Sequence, residues 1–436
     1  MRNSFLYFDF NKENLLNALL NISSNVDFIS ILSSNLSKDE IPLPQDYITY
    51  DLIAGIGSLG ILKSNENSFN KLNDLQTKHS DWFFGCLSYD LKNEVEALES
   101  KNNDNFITDN MLFFIPEYVL MLKDGVLEIQ TFNHKKVCDE FIFGFNFEEL
   151  KTKEFDCNIK QRDTKEAYVE KIKKIKNHIQ LGDIYEMNYC QEFYATDVSF
   201  SAESLFSELN NKMKTPFSSF LKLEKKYILS ASPERFLRKK GNKILSQPIK
   251  GTRKRGVTKK EDEVLISALK TSSKDISENV MITDLVRNDL SITAKIASVK
   301  VKELCEVYTF EKVHQMITTV SSEVDSDTSF AEVLKSAFPM GSMTGAPKIR
   351  AMELIEEFEE FKRGIFSGAV GYITPSSDFD FNVVIRTILY NLATNYLSVG
   401  VGGAITIKSD EQDEYEECLI KAKPIFDVLK FTLDDK

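Results

Sequence analysis

The chain has 436 residues, of which 42% are apolar and 28% charged, a balance that suits one large or two ordinary globular domains. A net charge of -12 gives no electrostatic reason to approach nucleic acid or an anionic membrane, so neither is expected as a partner, and an anionic ligand must be met by local cations or a metal. Six scattered cysteines without a C-x-x-C pair, and only four histidines, are poor material for a zinc site or a disulfide framework.

The first ten residues lack the basic start, continuous apolar stretch and small-residue cleavage site of a signal peptide, and no apolar run reaches the roughly 18 residues of a membrane span. A cytoplasmic protein with reduced thiols is expected. Residues 1–150 read as a strand-rich region, with apolar runs at Asp81 to Tyr89, Met111 to Pro116 and Tyr118 to Ile129. Lys123-Asp124-Gly125 divides the last run as a hairpin turn. Residues 145–165 lose apolar content and read as a connection. Tyr168, Ile172, Ile175 and Ile179 then fall at helical spacing, with Asp163 or Thr164 as N-cap and Gly182 as the stop. Beyond them strands are expected over 226–230, 365–373 and 396–401, alternating with helices.

Lys250 stands in Gln247-Pro248-Ile249-Lys250-Gly251-Thr252-Arg253, between apolar neighbours and a glycine. Burial disfavours the charged form of a lysine, so the expectation is a lowered pKa and an amine competent as nucleophile or base, against the plainer reading of a surface lysine at a strand end. Asp275 and Glu278 are spaced i, i+3, as are Glu414 and Glu417, with Lys421 four residues further. Either face would serve as a solvated surface. Asp275 and Glu278, however, directly precede an apolar helix, where inward negative charge needs neutralising. An all-oxygen donor set favours a hard ion such as Mg²⁺.

The run around Lys250 resembles the P-I-K-G-T signature of the chorismate-utilising enzymes. Supporting blocks follow in the family's order between about residues 165 and 425. They are Ser232 to Phe236, Ser273 to Met281, Asp284 to Asp289, Val313 to Met316, Gly341 to Lys348, Ser367 to Tyr372, Ile385 to Thr387, Gly400 to Ala404 and Glu414 to Glu417. Within the family the lysine form is similar to the aminodeoxychorismate synthase component I branch, whereas anthranilate synthase component I carries alanine there.

The resemblance implies an α+β fold of two large, mostly antiparallel sheets packed together with helices outside. It places a catalytic region at 165–430, with residues 1–150 interleaved into it. It further implies Glu278 and Glu417 as direct Mg²⁺ ligands, with Asp275 and Glu414 acting through water. The metal would hold the ring carboxylate of chorismate. Arg386, whose planar fork suits a carboxylate, and the backbone of Gly400, Gly402 and Gly403 are candidates for the second carboxylate. Tight strand packing is the alternative reading of those glycines. Gly251, Thr252, Thr344, Tyr372 and Lys421 are further pocket candidates, although buried Thr and Tyr often serve the backbone instead. Lys348 would add positive charge or pair with a nearby carboxylate. His314 lies where the family lines its pocket.

Glu234 fits a general acid whose pKa is raised by apolar surroundings, the alternative being an ion pair with Arg235 or Arg238. Lys250 is implied to add to C2 of the ring as the C4 hydroxyl departs, after which ammonia attacks C4. Glu186 stands where water-using relatives carry lysine and many ammonia-using ones carry glutamine, which argues against water chemistry and leaves its own role open. No glutamine amidotransferase pattern is visible, so a separate glutaminase subunit is the implied ammonia source. The implied product feeds 4-aminobenzoate and folate synthesis. Without a Leu-Leu-Glu-Ser segment, tryptophan inhibition is not expected.

Overall fold

The computed structural model describes residues 1–36, 47–150 and 157–431. Its strands form two sheets, and every pairing in both is antiparallel. The twelve-stranded sheet runs in the order Asn3–Tyr7, Val126–Thr131, Tyr118–Lys123, Leu52–Ile56, Phe28–Ser33, Phe217–Leu223, Lys226–Ser232, Thr387–Asn391, Tyr396–Thr406, Glu186–Ala195 and Gly345–Ala346, with Lys160–Gln161 on the side of Glu186–Ala195. The ten-stranded sheet runs Ile249–Lys254, Val313–Glu323, Lys243–Gln247, Arg235–Lys240, Phe379–Val383, Ala369–Ile373, Phe83–Leu87, Met111–Ile115 and Gly60–Ser64, with Lys300–Thr309 pairing Val313–Glu323. The expected α+β arrangement of two large sheets is what the chain adopts.

Side-chain alternation explains why the sheets stack. Within Tyr118–Lys123, Val119 and Met121 join one apolar cluster while Tyr118, Leu120 and Leu122 join another. Leu52–Ile56 and Lys226–Ser232 divide in the same way, so successive residues feed opposite faces. One cluster fuses the facing surfaces of the two sheets, with Phe84, Phe113, Phe236 and Phe381 meeting Phe28, Ile53 and Leu221. The other packs the twelve-stranded sheet under the helices Lys12–Ser23, Lys165–Leu181, Ala202–Met213, Lys348–Phe358 and Glu411–Val428.

The expected helix after the connection spans Lys165–Leu181, capped by the Thr164 hydroxyl, which accepts from the Ala167 amide, and stopped by Gly182 at φ +85°. Asp163, the other cap candidate, instead accepts from Lys171 and from the Tyr189 hydroxyl. The Lys123-Asp124-Gly125 turn forms between Tyr118–Lys123 and Val126–Thr131, with Asp124 and Gly125 both at positive φ, as a tight hairpin requires. Two boundaries differ from expectation. The strand expected from 365 starts at Ala369, because Ile365 to Gly368 form a turn with Ser367 at φ +62°. Among the described residues the N-terminal region also holds three helices longer than one turn, Lys12–Ser23, Ser68–His79 and Lys135–Phe143.

Candidate active site

Lys250 is aimed by a bulge. Its strand, Ile249–Lys254, slips register against Val313–Glu323 between Ile249 and Thr252, and Gly251 takes φ +87° there. A Cβ on Gly251 would stand 2.9 Å from Asp275 Oδ1, so a larger residue is doubly disfavoured. Lys250 Nζ donates to Glu186 Oε1 at 2.8 Å across the gap between the sheets. Glu186 opens the strand Glu186–Ala195 and is 1% exposed, while its Oε2 is buried without a partner. Burial pulls the Lys250 ammonium down, but the charges of Glu186, Glu278 and Glu234 outweigh it and leave the pKa above the ordinary lysine value. The lowered pKa expected from sequence is reversed, because three nearby carboxylates favour the ammonium more than burial disfavours it.

Glu234, buried in the short connection between the strands Lys226–Ser232 and Arg235–Lys240, is pushed up to about 7, chiefly by burial, against the opposing effects of Ser342 and the charge of Lys250. Its neighbour Arg235 is spent elsewhere, on Asp380, Gln247 and the Tyr47 carbonyl. Glu278, on the helix Ser273–Ser291, is likewise pushed up to about 7 by burial, and its Oε1 has no partner. Its companions are paired. Asp275 accepts from Arg253 at 2.7 Å, Glu414 from Lys274 at 3.0 Å and Glu417 from Lys421 at 2.8 Å. The latter two carboxylates project from Glu411–Val428, whose N-cap is Asp410. Among the described residues, no three His, Cys, Asp or Glu side chains stand close enough to grip a metal together. The expected four-way convergence is therefore divided among ion pairs, with Glu278 left over.

The three glycines divide by strand alternation. A Cβ on Gly403 would meet Lys421 Nζ at 3.2 Å and Glu414 Oε2 at 3.4 Å, so Gly403 faces the charged cluster. At Gly400 it would strike the Phe366 ring at 2.4 Å, and at Gly402 the Tyr189 carbonyl at 2.0 Å, so these two serve close packing. Arg386 sits at φ +53° in the same region, and its guanidinium donates to the Lys421 carbonyl at 3.3 Å. It makes no ion pair among the described residues. Burial pulls it down to about 10, opposed by Glu417. A desolvated guanidinium without a carboxylate is a ready anion receptor.

Other candidates lie apart. Tyr372 packs against Tyr50, Trp82 and Phe84 and lines a separate pocket with Leu32, Ser34, Phe217 and Asp380. The Thr344 hydroxyl serves the turn beneath it, donating to Met340 and Gly341 carbonyls at 3.3 Å. Thr252 is exposed. Both ring nitrogens of His314 are engaged, with Thr309 and Asp262, at 2.8 Å. Lys348 pairs with Asp289 at 2.7 Å. Sequence reading missed Lys274, although it sits inside the Ser273-Lys274-Asp275 block. It also missed the fully buried Arg363, which pairs with Glu359 at 2.6 Å and donates to the Asn188 carbonyl at 2.9 Å, tying down the strand that carries Glu186.

Two stacked antiparallel sheets with a lysine and several carboxylates buried at their junction define an α+β protein equipped for acid, base and nucleophilic chemistry on an anion. Residues 55–427 match the chorismate binding enzyme family, and the chain belongs to it. It is 40% identical over 272 residues to the aminodeoxychorismate synthase of Streptomyces griseus, an alignment covering 62% of this chain and 37% of that protein. It is 33% identical over 352 residues to aminodeoxychorismate synthase component 1 of Escherichia coli strain K12, covering 79% of this chain and 76% of that one. The chain thus spans little more than a third of the first relative and about three quarters of the second. The crystal structure of anthranilate synthase component I from Streptococcus pneumoniae superposes with a TM-score of 0.77 over 89% of this chain and 95% of that one, at 23% identity, a likeness of fold. Among the described residues no helix is long and apolar enough to cross a membrane.

Proposed function

We propose that the chain is an aminodeoxychorismate synthase of the component 1 type, replacing the C4 hydroxyl of chorismate with an amino group to supply 4-aminobenzoate for folate synthesis. The observation that carries this reading is the buried 2.8 Å pair between Lys250 and Glu186, beside a Glu234 whose pKa is about 7. Lys250 is stored as an ammonium, so it needs a base in contact before it can attack, and Glu186 is that base. With its proton on Glu186, the Lys250 amine forms a bond to C2 while the ring double bonds shift and the C4–O bond breaks. Glu234, half protonated near neutral pH, gives its proton to the departing hydroxyl, which leaves as water. Ammonia then forms the C4–N bond as the double bonds shift back, the C2–N bond to Lys250 breaks, and the proton shed by the new amine returns to Glu234. A nucleophile occupying C2 directs the nitrogen to C4.

The donor set fits a hard divalent cation, Mg²⁺, at Glu278 and Glu417. Glu278 has a buried oxygen without a partner, both are carboxylates, and Mg²⁺ needs only one or two protein carboxylates because it keeps several waters. Bound there, the ion would neutralise the ring carboxylate of the substrate. Arg386 and the Gly403 edge would receive the enolpyruvyl carboxylate. Ammonia would come from a separate glutaminase subunit or from solution, and the enzyme would work in the cytoplasm.

The test is incubation of the purified chain with chorismate, Mg²⁺ and an ammonium salt, with products resolved by mass and pyruvate assayed. Aminodeoxychorismate without pyruvate is expected. Anthranilate with matching pyruvate would overturn the reading in favour of C2 chemistry.

A further inference from the structure

Lys274 is placed where a cation is disfavoured. It lies in the first turn of the nineteen-residue helix Ser273–Ser291, whose N-terminal end carries partial positive charge. The side chain reaches away from that helix to another, with Nζ 3.0 Å from Glu414 Oε1 and 4.0 Å from Glu417 Oε2. Glu417 is held from its other side by Lys421 at 2.8 Å. Glu278, four residues further along the same helix as Lys274, is the carboxylate left with an unpartnered buried oxygen. Glu278, Glu414 and Glu417 therefore stand around Lys274 and Lys421, with Lys250 also acting on Glu278 and Glu417, and of these cations Lys274, 43% exposed at its side chain, is free to swing into water.

A divalent cation entering beside Glu278 and Glu417 would crowd two further positive charges against the ammonium groups already held there. Withdrawal of Lys274 into water would relieve part of that repulsion. Lys421 has less freedom, because its Nζ also donates to the Gly402 carbonyl at 3.1 Å.

We propose that Lys274 is a resident counter-ion that the divalent cation displaces on binding Glu278 and Glu417, so that this lysine sets the metal affinity of the enzyme. The inference rests on the metal reading above. It makes Lys274 a positioning residue: it holds Glu414 and Glu417 in place and yields to the metal.

The experiment is calorimetric titration of the full chain with Mg²⁺, and with Mn²⁺ as a second probe, for the wild type and the variants Lys274→Met and Glu278→Gln. A half-exposed ion pair contributes up to about 1 kcal/mol, so Lys274→Met is expected to bind the ion about fivefold more tightly. Glu278→Gln is expected to weaken binding at least about tenfold, as loss of a charged ligand does. A second readout follows Lys274 itself: labelling with an amine-reactive reagent, quantified by peptide mass spectrometry, is expected to rise when Mg²⁺ saturates the site. Unchanged or weaker affinity in Lys274→Met, or labelling that does not rise, together with weakened binding in Glu278→Gln, overturns the counter-ion role and leaves the metal reading standing. Binding that is absent from the wild type, or indifferent to Glu278→Gln, overturns both.

Discussion

Glu186 and Lys250 belong to different sheets, and their 2.8 Å ion pair spans the junction between the two. Both side chains are almost fully buried, so neither charge has solvent to fall back on. Removing one partner of a buried pair typically costs about 3–5 kcal/mol, because the other is left unpaired. Lys250→Ala is therefore expected to lower stability by about that amount, and Lys250→Ala with Glu186→Ala by clearly less than the sum of the single changes. A denaturant double-mutant cycle measures the coupling, and additive costs would show that the pair is not a unit. In turnover, Lys250→Ala should abolish amination at C4.

The pKa of Glu234 is raised to about 7, above an unfolded value of about 4.3. Between those two values the folded protein holds a proton that the unfolded chain has released. Its contribution therefore declines as pH rises through this window, by at most about 1.4 kcal/mol per pH unit, and is constant beyond it. Glu234→Gln should flatten the fall in stability between pH 5 and pH 7, measured by urea denaturation. With Glu234 in the proposed role of acid, the rate should also fall as pH rises through about 7, and the variant should lose that limb together with most of its activity.

Gly402 and Gly403 are neighbours with opposite consequences. A Cβ at Gly402 would lie 2.0 Å from a backbone carbonyl, which cannot move aside, so Gly402→Ala should destabilise the fold by about 3 kcal/mol. At Gly403 the obstacles are the tips of Lys421 and Glu414, which can shift. Gly403→Ala should keep its melting temperature within a few degrees while raising KM for chorismate. Thermal melts and steady-state kinetics on the pair would separate the two roles.

Arg386→Lys keeps the charge but loses the fork. Charge-assisted hydrogen bonds contribute about 1.5–3 kcal/mol each, so KM should rise by about ten- to a hundredfold, with a smaller change in kcat. An unaltered KM would remove Arg386 from the substrate site.

What could be read in the sequence was what is local. Thr164 and Gly182 bound their helix through contacts within a few residues, and Asp124-Gly125 turns its hairpin for the same reason. The neighbours of Lys250 were not readable, because Glu186 is 64 positions away and reaches it from the other sheet. Tyr372 lies in a recognisable block, yet nothing in a period of two tells which sheet face meets substrate and which meets Trp82. Ser367 turned an expected strand into a bend through a positive φ that non-glycine residues seldom adopt.

The order of strands also dictates when this chain can close its core during synthesis. Phe83–Leu87 lies between Met111–Ile115 and Ala369–Ile373, and Lys226–Ser232 waits for Thr387–Asn391. Early strands must therefore leave the ribosome with apolar faces and unmatched edges and remain so until residues 369–391 emerge. Such distant pairing makes for slow folding, and over that interval the unpaired strands are exposed to aggregation.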